Sequence, residues 1–326
     1  MESMRHSTCG DIQTSVLGFG CGSVLGRVGR GASLRAMNVA WDAGITLFDT
    51  ARSYGYGEAE AVLGEFLRGK RDRAIVATKF GIAPEKPSTL KRIVVPVVRA
   101  AMQVPGVRGL LKRGGNGERK FGEFTAEGLQ TSLEESLRQL RTDYVDVLFL
   151  HEATAEAMHR HDLMAALDAL VQAGKVRRVG LYGGADVVTE GLAGGPATLG
   201  AMQFGGDCFD PVATGFAANN SRGVLLIANH PFGSEERVAR IATTLTEMSS
   251  DESVPVELRE KLRGGDWPIL LEAILGMVLQ RSDALVFSMM REDHLWANVR
   301  AVKSGRFTDV ELEIMQARML RGPVAR

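Results

Sequence analysis

The chain has 326 residues and a formal net charge of zero, with 45% hydrophobic and 24% charged residues. This length allows one large α/β domain or two ordinary ones, and the hydrophobic content is ample for a packed core, which excludes a disordered chain. The balanced charge creates no global electrostatic field that favours nucleic acid or an anionic membrane, so we expect neither as a partner.

Cysteine usage and hydropathy indicate the cellular compartment of the protein. Three widely spaced cysteines, Cys9, Cys21 and Cys208, suit a reducing cytosol better than a disulfide framework. The N-terminal residues lack the apolar segment of a signal peptide, and no uncharged apolar run reaches the ~18 residues that a bilayer span requires. We therefore expect a cytoplasmic protein without a membrane span, and the sequence does not indicate its oligomeric state.

Short apolar runs alternate with helical patterns along the chain, which is typical of repeated β-α units and a parallel sheet. The predicted strands cover residues 16–20, 45–48, 74–78, 145–150, 179–182, 201–204, 224–228 and 284–287. Eight strands with intervening helices predict a (β/α)8 TIM barrel that forms a single domain over residues 1–326. A doubly wound sheet is the alternative.

The predicted helices have recognisable ends. Ser33 is expected to cap a helix over residues 34–43, and Gly44 follows it as a left-handed stop. Thr125 precedes a helix over residues 126–140 with leucines at helical spacing, and a helix over residues 163–173 ends before Gly174. The segment 84–124 breaks this pattern after the third strand, where a long loop is typical of a lid or a substrate wall.

Three segments resemble ligand-binding motifs but lack their fixed features. The glycines of residues 18–23 have the wrong offsets for a dinucleotide fingerprint. Residues 64–71 resemble a phosphate loop, but Arg71 replaces the Ser or Thr, and the segment closes a helix instead of opening one. The run His159-Arg160-His161 has no partner at metal-ligand spacing, so it predicts a solvated helix start and no metal site.

Ionisable residues end three of the predicted strands, namely Asp49, Lys79 and His151, and Tyr54 follows Asp49 by five positions. In a barrel, the carboxyl ends of the strands converge on one face, where catalysis takes place. Lys79 and Asp49 are expected to form an ion pair whose ammonium lowers the pKa of Tyr54 from about 10. A tyrosine tuned in this way is a general acid for carbonyl reduction, while His151 orients the carbonyl oxygen. Tyr56 is the competing tyrosine.

Four segments carry a family resemblance: DTARSYGYGEAEAVLG at 49–64, ATKFG at 77–81, SLEESLRQLRTDYVD at 132–146 and GKVRRVG at 174–180. Together with His151 they resemble the signature of the aldo-keto reductase superfamily over roughly residues 14–304, and the resemblance favours Tyr54 over Tyr56. It implies a (β/α)8 barrel that binds a nicotinamide cofactor, NADP or alternatively NAD, across its carboxyl-end face. Hydride would pass from the nicotinamide to a small-molecule carbonyl substrate, with Tyr54 as acid, Lys79 and Asp49 tuning it, and His151 positioning the carbonyl.

The resemblance also implies a set of cofactor-binding positions, several of which carry unusual residues. Tyr182 and Gly183 replace a Ser-Asn pair, Asn229 replaces the aromatic residue that stacks under the nicotinamide, and Tyr182 or Phe232 would supply a substitute ring. Ser288 and His294 stand where cations neutralise the 2′-phosphate of NADP, and Arg291 is a candidate replacement. The full implied set is Gly22, Asp49, Tyr182, Gly183, Gln203, Asn229, Phe232, Ser288, Met289, Arg291, His294 and Asn298.

Two other functions stay open at this point. One is a regulatory protein on the same barrel that binds nicotinamide nucleotide with little turnover. The other is a lyase or isomerase that uses Lys79 as a Schiff-base amine.

Overall fold

Two short antiparallel strands, β1 (His6–Cys9) and β2 (Ile12–Ser15), precede a closed barrel of eight parallel strands. The computed structural model describes residues 4–26, 28–84 and 124–321. The barrel strands are β3 (Leu17–Gly20), β4 (Leu47–Asp49), β5 (Ile75–Phe80), β6 (Val145–His151), β7 (Val176–Tyr182), β8 (Leu199–Gly205), β9 (Leu225–Asn229) and β10 (Ala284–Phe287). Because β10 pairs with both β9 and β3, the sheet has no edge, so the predicted barrel is confirmed and the doubly wound alternative is wrong.

Helices connect the strands. The described helices are α1 (Arg30–Asp42), α2 (Ala59–Phe66), α3 (Ala126–Leu140), α4 (Ala155–Met158), α5 (His161–Gln172), α6 (Ala185–Gly194), α7 (Glu235–Ser250), α8 (Val256–Leu262), α9 (Trp267–Leu279), α10 (Glu292–Lys303) and α11 (Asp309–Arg321). Among them, none combines the length and the apolar character that crossing a membrane requires. The lid or wall predicted at 84–124 lies outside the described residues, except for its two ends.

One predicted helix start is confirmed and one is wrong. Thr125 caps α3 by accepting a hydrogen bond from the Gly128 N–H, as its position before the leucine pattern predicted. Ser33, in contrast, lies one turn inside α1, because the helix begins at Arg30 after Gly29. Its hydroxyl donates to the Gly29 carbonyl and accepts from the Leu25 N–H, so it ties the preceding loop to the helix instead of capping it.

The strand β7 begins at Val176, three residues before its predicted start. The prediction began too late because charged residues interrupt the apolar run. Arg177 donates to the carboxylates of Asp146 and Asp11, and Arg178 also donates to Asp11. Asp146 is only 1% exposed, so these ion pairs allow guanidinium groups to lie within the barrel wall. They also attach the β1–β2 hairpin, which the sequence did not predict, to the end of the barrel opposite His151.

The barrel interior is filled by apolar side chains. Alternate residues of the strands point inward, and they form a buried cluster that includes Leu47, Val147, Phe149 and Ile227. Ile12 from the hairpin joins this cluster and closes it from below. Gly180 is required on β7 because a Cβ atom there would collide with the Phe149 ring.

The inward face changes character at the carboxyl ends of the strands. The next inward positions are Gly20, Asp49, Lys79, His151, Tyr182, Gln203, Asn229 and, just beyond β10, Ser288. A polar layer therefore lies directly above the apolar core, and this layer is the floor of the candidate site.

Candidate active site

A buried ion pair lies at the centre of the polar layer. The Lys79 ammonium nitrogen lies 2.5 Å and 2.6 Å from the two carboxylate oxygens of Asp49, and it also donates to the Thr50 carbonyl at 3.1 Å. Lys79 is 2% exposed and Asp49 is 5% exposed. Neighbouring strands β4 and β5 supply the two residues, so the adjacency predicted from the strand ends is confirmed.

Tyr54 and His151 complete the predicted group of four. Tyr54 begins a tight turn over Tyr54–Gly57 in which Gly55 and Tyr56 both have positive φ angles. This turn places the Tyr54 ring with its centroid 5.2 Å from the Lys79 nitrogen. The His151 ring lies at the end of β6 and meets the Tyr54 ring edge-on, with 6.0 Å between centroids. Tyr56 is more than half exposed, so the structure brings Tyr54, and not Tyr56, into the group.

Burial dominates the electrostatics of this group. It raises the pKa of the Asp49 carboxyl, although Lys79 opposes the shift. Burial acts to lower the pKa of Lys79, but the Asp49 carboxylate and the Tyr54 and Tyr182 phenols together outweigh it, so this pKa is raised. The predicted lowering of the Tyr54 pKa is wrong for this arrangement: burial raises it, Asp49 adds to the increase, and the Lys79 ammonium offsets only part of it.

A cavity of about 530 Å³ opens above the polar layer. Of the residues predicted for the site, those in its wall are Gly22, Asp49, Tyr54, His151, Tyr182, Asn229 and Ser288. Lys79 and Gln203 lie below it, where Gln203 is 1% exposed and acts to lower the pKa of the Asp49 carboxyl.

The remaining predicted positions lie outside the cavity wall. The Gly183 N–H donates to the Gln203 carbonyl, and Phe232 packs edge-on against Phe287, which does line the cavity. Met289 and Asn298 are buried, whereas Arg291 and His294 are exposed at the start of α10.

Sequence reasoning missed a second buried carboxylate that supports the site. Glu60, on α2, is 1% exposed, accepts a hydrogen bond of 2.6 Å from the Thr78 hydroxyl and lies 3.3 Å from the Arg52 guanidinium. Glu60 thereby links Thr78, the residue before Lys79 on β5, to Arg52 in the loop between Asp49 and Tyr54. The signal available in the sequence was the acidic residue Glu60 in the first turn of the helix that follows this loop.

Two exposed residues in the cavity wall were also missed, Glu152 and His230. Both have positive φ angles, near 55° and 50°, which non-glycine residues rarely adopt. Backbone strain of this kind is concentrated at functional sites. Their position directly after strand residues His151 and Asn229 was the signal in the sequence.

The geometry is unfavourable for Schiff-base chemistry at Lys79. A nucleophilic amine must be neutral, but Asp49 raises the pKa of Lys79, and three oxygen atoms accept its hydrogen bonds. Residues 4–26, 28–84 and 124–321 contain no group of three His, Cys, Asp or Glu side chains that could hold a metal ion. His159 is paired with Glu190, a carboxylate contributed by α6 that sequence spacing did not reveal.

Comparison with known proteins shows the family to which the chain belongs. The profile of the Aldo/keto reductase family matches residues 16–187, more than half of the chain and all four residues of the predicted group. The chain belongs to the aldo/keto reductase family. This membership confirms the resemblance inferred from the sequence segments around Asp49, Lys79 and His151.

Individual relatives of this aldo/keto reductase match only in part. A D-threo-aldose 1-dehydrogenase from a Pseudomonas species is 34% identical over 171 residues, which are 51% of this chain and 47% of that protein. A pyridoxal 4-dehydrogenase from Microbacterium luteolum is 29% identical over 144 residues, or 43% of this chain and 40% of that protein. The chain thus spans less than half the length of these curated relatives.

Similarity of fold extends over the whole chain. The solved structure of aldo-keto reductase AKR11C1 from Bacillus halodurans, in its holo form, aligns with 99% of this chain and 98% of its own, with a TM-score of 0.71. The sequences are 24% identical in this alignment, so the likeness concerns the fold alone.

Proposed function

We propose that this aldo/keto reductase is an NAD(P)H-dependent oxidoreductase that reduces an aldehyde, ketone or sugar-like carbonyl, or oxidises the corresponding alcohol. The observation that carries the proposal is the buried Lys79–Asp49 ion pair beside Tyr54 and His151. A protein that only binds nucleotide has no use for a buried ion pair next to a half-buried phenol at the mouth of a cavity.

Proton transfer is assigned to Tyr54. Its raised pKa keeps the phenol protonated at neutral pH, which is the state that a general acid requires. The substrate carbonyl oxygen accepts this proton, while His151, whose ring meets Tyr54 edge-on, orients the same oxygen. Lys79 stays protonated and stabilises the phenolate that remains after the transfer, and Asp49 holds Lys79 in position.

The cavity has features that fit a nicotinamide ring. When bound, the nucleotide supplies the hydride. The side-chain oxygens of Gln203 and Asn229 are buried and have no hydrogen-bond partner among the described residues. Buried acceptors normally have donors, and the NH2 group of a carboxamide provides two. We therefore assign Gln203 and Asn229 to the carboxamide, and Gly22, which leaves space beside the Tyr54 ring, to close approach of the nucleotide.

The charge at the start of α10 bears on the choice between NADP and NAD. Arg291 is engaged by both oxygens of Asp293, and Glu292 adds a further negative charge in the same helical turn. A 2′-phosphate placed near Ser288 and His294 would have to displace Asp293 from Arg291. We therefore propose that NADPH has no large advantage over NADH, in contrast to the NADP preference that the resemblance implied.

The substrate class follows from the polar wall of the cavity. Ser53, Glu152 and His230 provide groups that bind hydroxyl substituents. The two relatives described above are dehydrogenases named after aldehydes, an aldose and pyridoxal. A polyhydroxylated aldehyde or its cyclic hemiacetal is thus the first substrate to test.

The test combines binding and turnover. NADH and NADPH are titrated into the purified protein by fluorescence, and hydride transfer is then followed at 340 nm with aldoses, simple aldehydes and ketones. We expect binding of both nucleotides with comparable affinity and turnover of at least one aldehyde. Binding without any turnover would favour the regulatory alternative, and the absence of binding at millimolar nucleotide would refute the proposed function.

A further inference from the structure

Glu152 places an acidic side chain in the wall of the candidate active site. It is exposed and follows His151, the last residue of β6. Side chains alternate across a strand, so a regular continuation of β6 would turn Glu152 away from the barrel axis. Its positive φ angle of 55° ends the strand conformation, and the next N–H, that of Ala153, donates to the Tyr182 carbonyl at 2.7 Å. This turn keeps Glu152 in the cavity wall.

Glu152 differs from the other two carboxylates near the site because it has no cationic partner. Asp49 is paired with Lys79, and Glu60 lies 3.3 Å from the Arg52 guanidinium. Within residues 4–26, 28–84 and 124–321, no Lys, Arg or His side chain forms an ion pair with Glu152. Its negative charge is therefore free to act on a ligand in the cavity.

The rest of the cavity wall supplies no fixed positive charge. In the described part of the chain, the lining residues include His151 and His230 but no lysine or arginine. Lys79 lies below the floor, where both oxygens of Asp49 accept its hydrogen bonds, so these two charges balance each other. The negative charge of the wall is a local property, since the formal net charge of the whole chain is zero.

A substrate that fills the cavity displaces water from the Glu152 carboxylate. This loss of water destabilises a charge that has no partner. A cationic substituent on the substrate supplies the missing opposite charge, whereas an anionic substituent adds repulsion, which the low dielectric of a cleft strengthens. A neutral substituent does neither, so the three kinds of substrate should differ in affinity.

We propose that Glu152 selects the carbonyl substrates of this site by charge, favouring those with an amino or other cationic group over neutral ones, and neutral ones over anionic ones. The inference rests on the proposed function and narrows its substrate class, because it disfavours aldehydes that carry a carboxylate or phosphate. Glu152 is a specificity-determining residue that contacts the substrate and takes no part in hydride or proton transfer.

The kinetic test uses three aldehydes that differ in charge: para-trimethylammonio-, para-tert-butyl- and para-carboxybenzaldehyde. The first two have nearly the same shape, so the ratio of their kcat/KM values measures the effect of charge, and a general loss of activity in a variant cancels. We expect kcat/KM to be about 3- to 10-fold higher for the cationic aldehyde than for the neutral one. Glu152→Gln should bring this ratio close to one.

Glu156→Gln is the matched control. Glu156 lies in the first turn of α4, is exposed and does not line the cavity. The control removes the same charge from the same connection after β6, so it should keep the wild-type ratio. In ~1 M salt, where the Debye length is ~3 Å, the wild-type ratio should shrink, because its origin is electrostatic.

A binding measurement separates this inference from the proposed function. The benzamides with the same para substituents are not reduced, and they are titrated calorimetrically into the nucleotide-free wild type and both variants. We expect the same charge order in Kd for the wild type and for Glu156→Gln, and its loss in Glu152→Gln.

Equal ratios in the two variants, or a wild type without a charge order, would overturn charge selection by Glu152. Benzamides bound in the expected order, with no aldehyde turned over, would refute the proposed function alone. Turnover of the aldehydes without a charge order would refute charge selection alone. The absence of both binding and turnover would refute both.

Discussion

At the scale of single residues, Tyr54 and its neighbour Tyr56 provide a matched pair. Tyr54→Phe removes the assigned proton donor and keeps the ring, so we expect kcat to fall by about 10²–10⁴-fold with nucleotide affinity nearly unchanged. Tyr56 is 53% exposed, and Tyr56→Phe should retain activity. Steady-state kinetics and fluorescence titration measure both effects. Equal activity in the two variants would remove Tyr54 from the mechanism.

The pH dependence follows from the raised pKa of Tyr54. Burial, Asp49 and Tyr182 raise this pKa, and Lys79 lowers it to a smaller extent. The phenol is thus protonated through neutral pH, so carbonyl reduction should be independent of pH there and decline only above about 10, the ordinary tyrosine pKa. Alcohol oxidation needs the phenolate and should rise with pH over the same alkaline range. Rates measured in both directions between pH 6 and 11 test this, and a reduction rate that falls near pH 7 would contradict it.

The ion pair between Lys79 and Asp49 also bears on stability. Lys79→Met leaves the Asp49 carboxylate buried without its partner, which costs about 3–5 kcal/mol in comparable buried pairs. In the double variant Asp49→Asn/Lys79→Met no buried charge remains at the pair, and we expect much of the unfolding free energy to return while activity stays lost. Urea unfolding of the three proteins measures this. A double variant less stable than Lys79→Met would show that the charges do not act as a pair.

At the scale of secondary-structure elements, the contact between α2 and α3 depends on Gly64. A Cβ atom at this position would lie 2.7 Å from the Leu140 carbonyl carbon, in backbone that has little freedom to move. Gly64→Ala should therefore destabilise the protein by about 1–3 kcal/mol, as overpacking does. Gly194, at the end of α6, has open space around its Cβ position, so Gly194→Ala should be neutral or stabilising by up to about 1 kcal/mol. Chemical unfolding compares the two, and equal stabilities would contradict the close helix contact.

The secondary-structure elements also show which structural features a local sequence pattern can predict. The strands β3 to β10 were all predicted, because apolar runs mark strands whose two faces are buried, although the prediction for β7 missed its first three residues. The hairpin β1–β2 was missed, since its residues become strand-like only through pairing and through Arg177 and Arg178. The start of α1 was misplaced because Ser33 has cap chemistry but bonds within the first helical turn.

At the scale of the whole molecule, nucleotide binding should stabilise the fold. A ligand that binds the folded state alone adds about 2.7 kcal/mol at a concentration of 100 times its Kd. We therefore expect NADH to raise Tm, and Tyr54→Phe to show the same increase, because that variant keeps the nucleotide contacts. Scanning calorimetry with and without NADH measures this. An unchanged Tm at a concentration that saturates the fluorescence titration would contradict a nucleotide site in the folded barrel.

The sequence by itself determined the barrel and the three strand-end residues Asp49, Lys79 and His151, while the family resemblance favoured Tyr54 over Tyr56. The barrel and the strand ends follow from the order of residues along the chain, because apolar runs define strands and the carboxyl ends of parallel strands share one face. The same rule extends further, since Gln203 and Asn229 occupy inward positions of the polar layer just as Lys79 does.

Only the tertiary structure decided the properties that depend on distance and burial. The sign of the Tyr54 pKa shift is one, because desolvation by the surrounding residues exceeds the attraction of Lys79. The pairing of Arg291 with Asp293 and the packing of the Tyr182 ring on His151 are others. Side-chain rotamers and through-space energies fix these features, and neither is encoded in the local periodicity of a sequence.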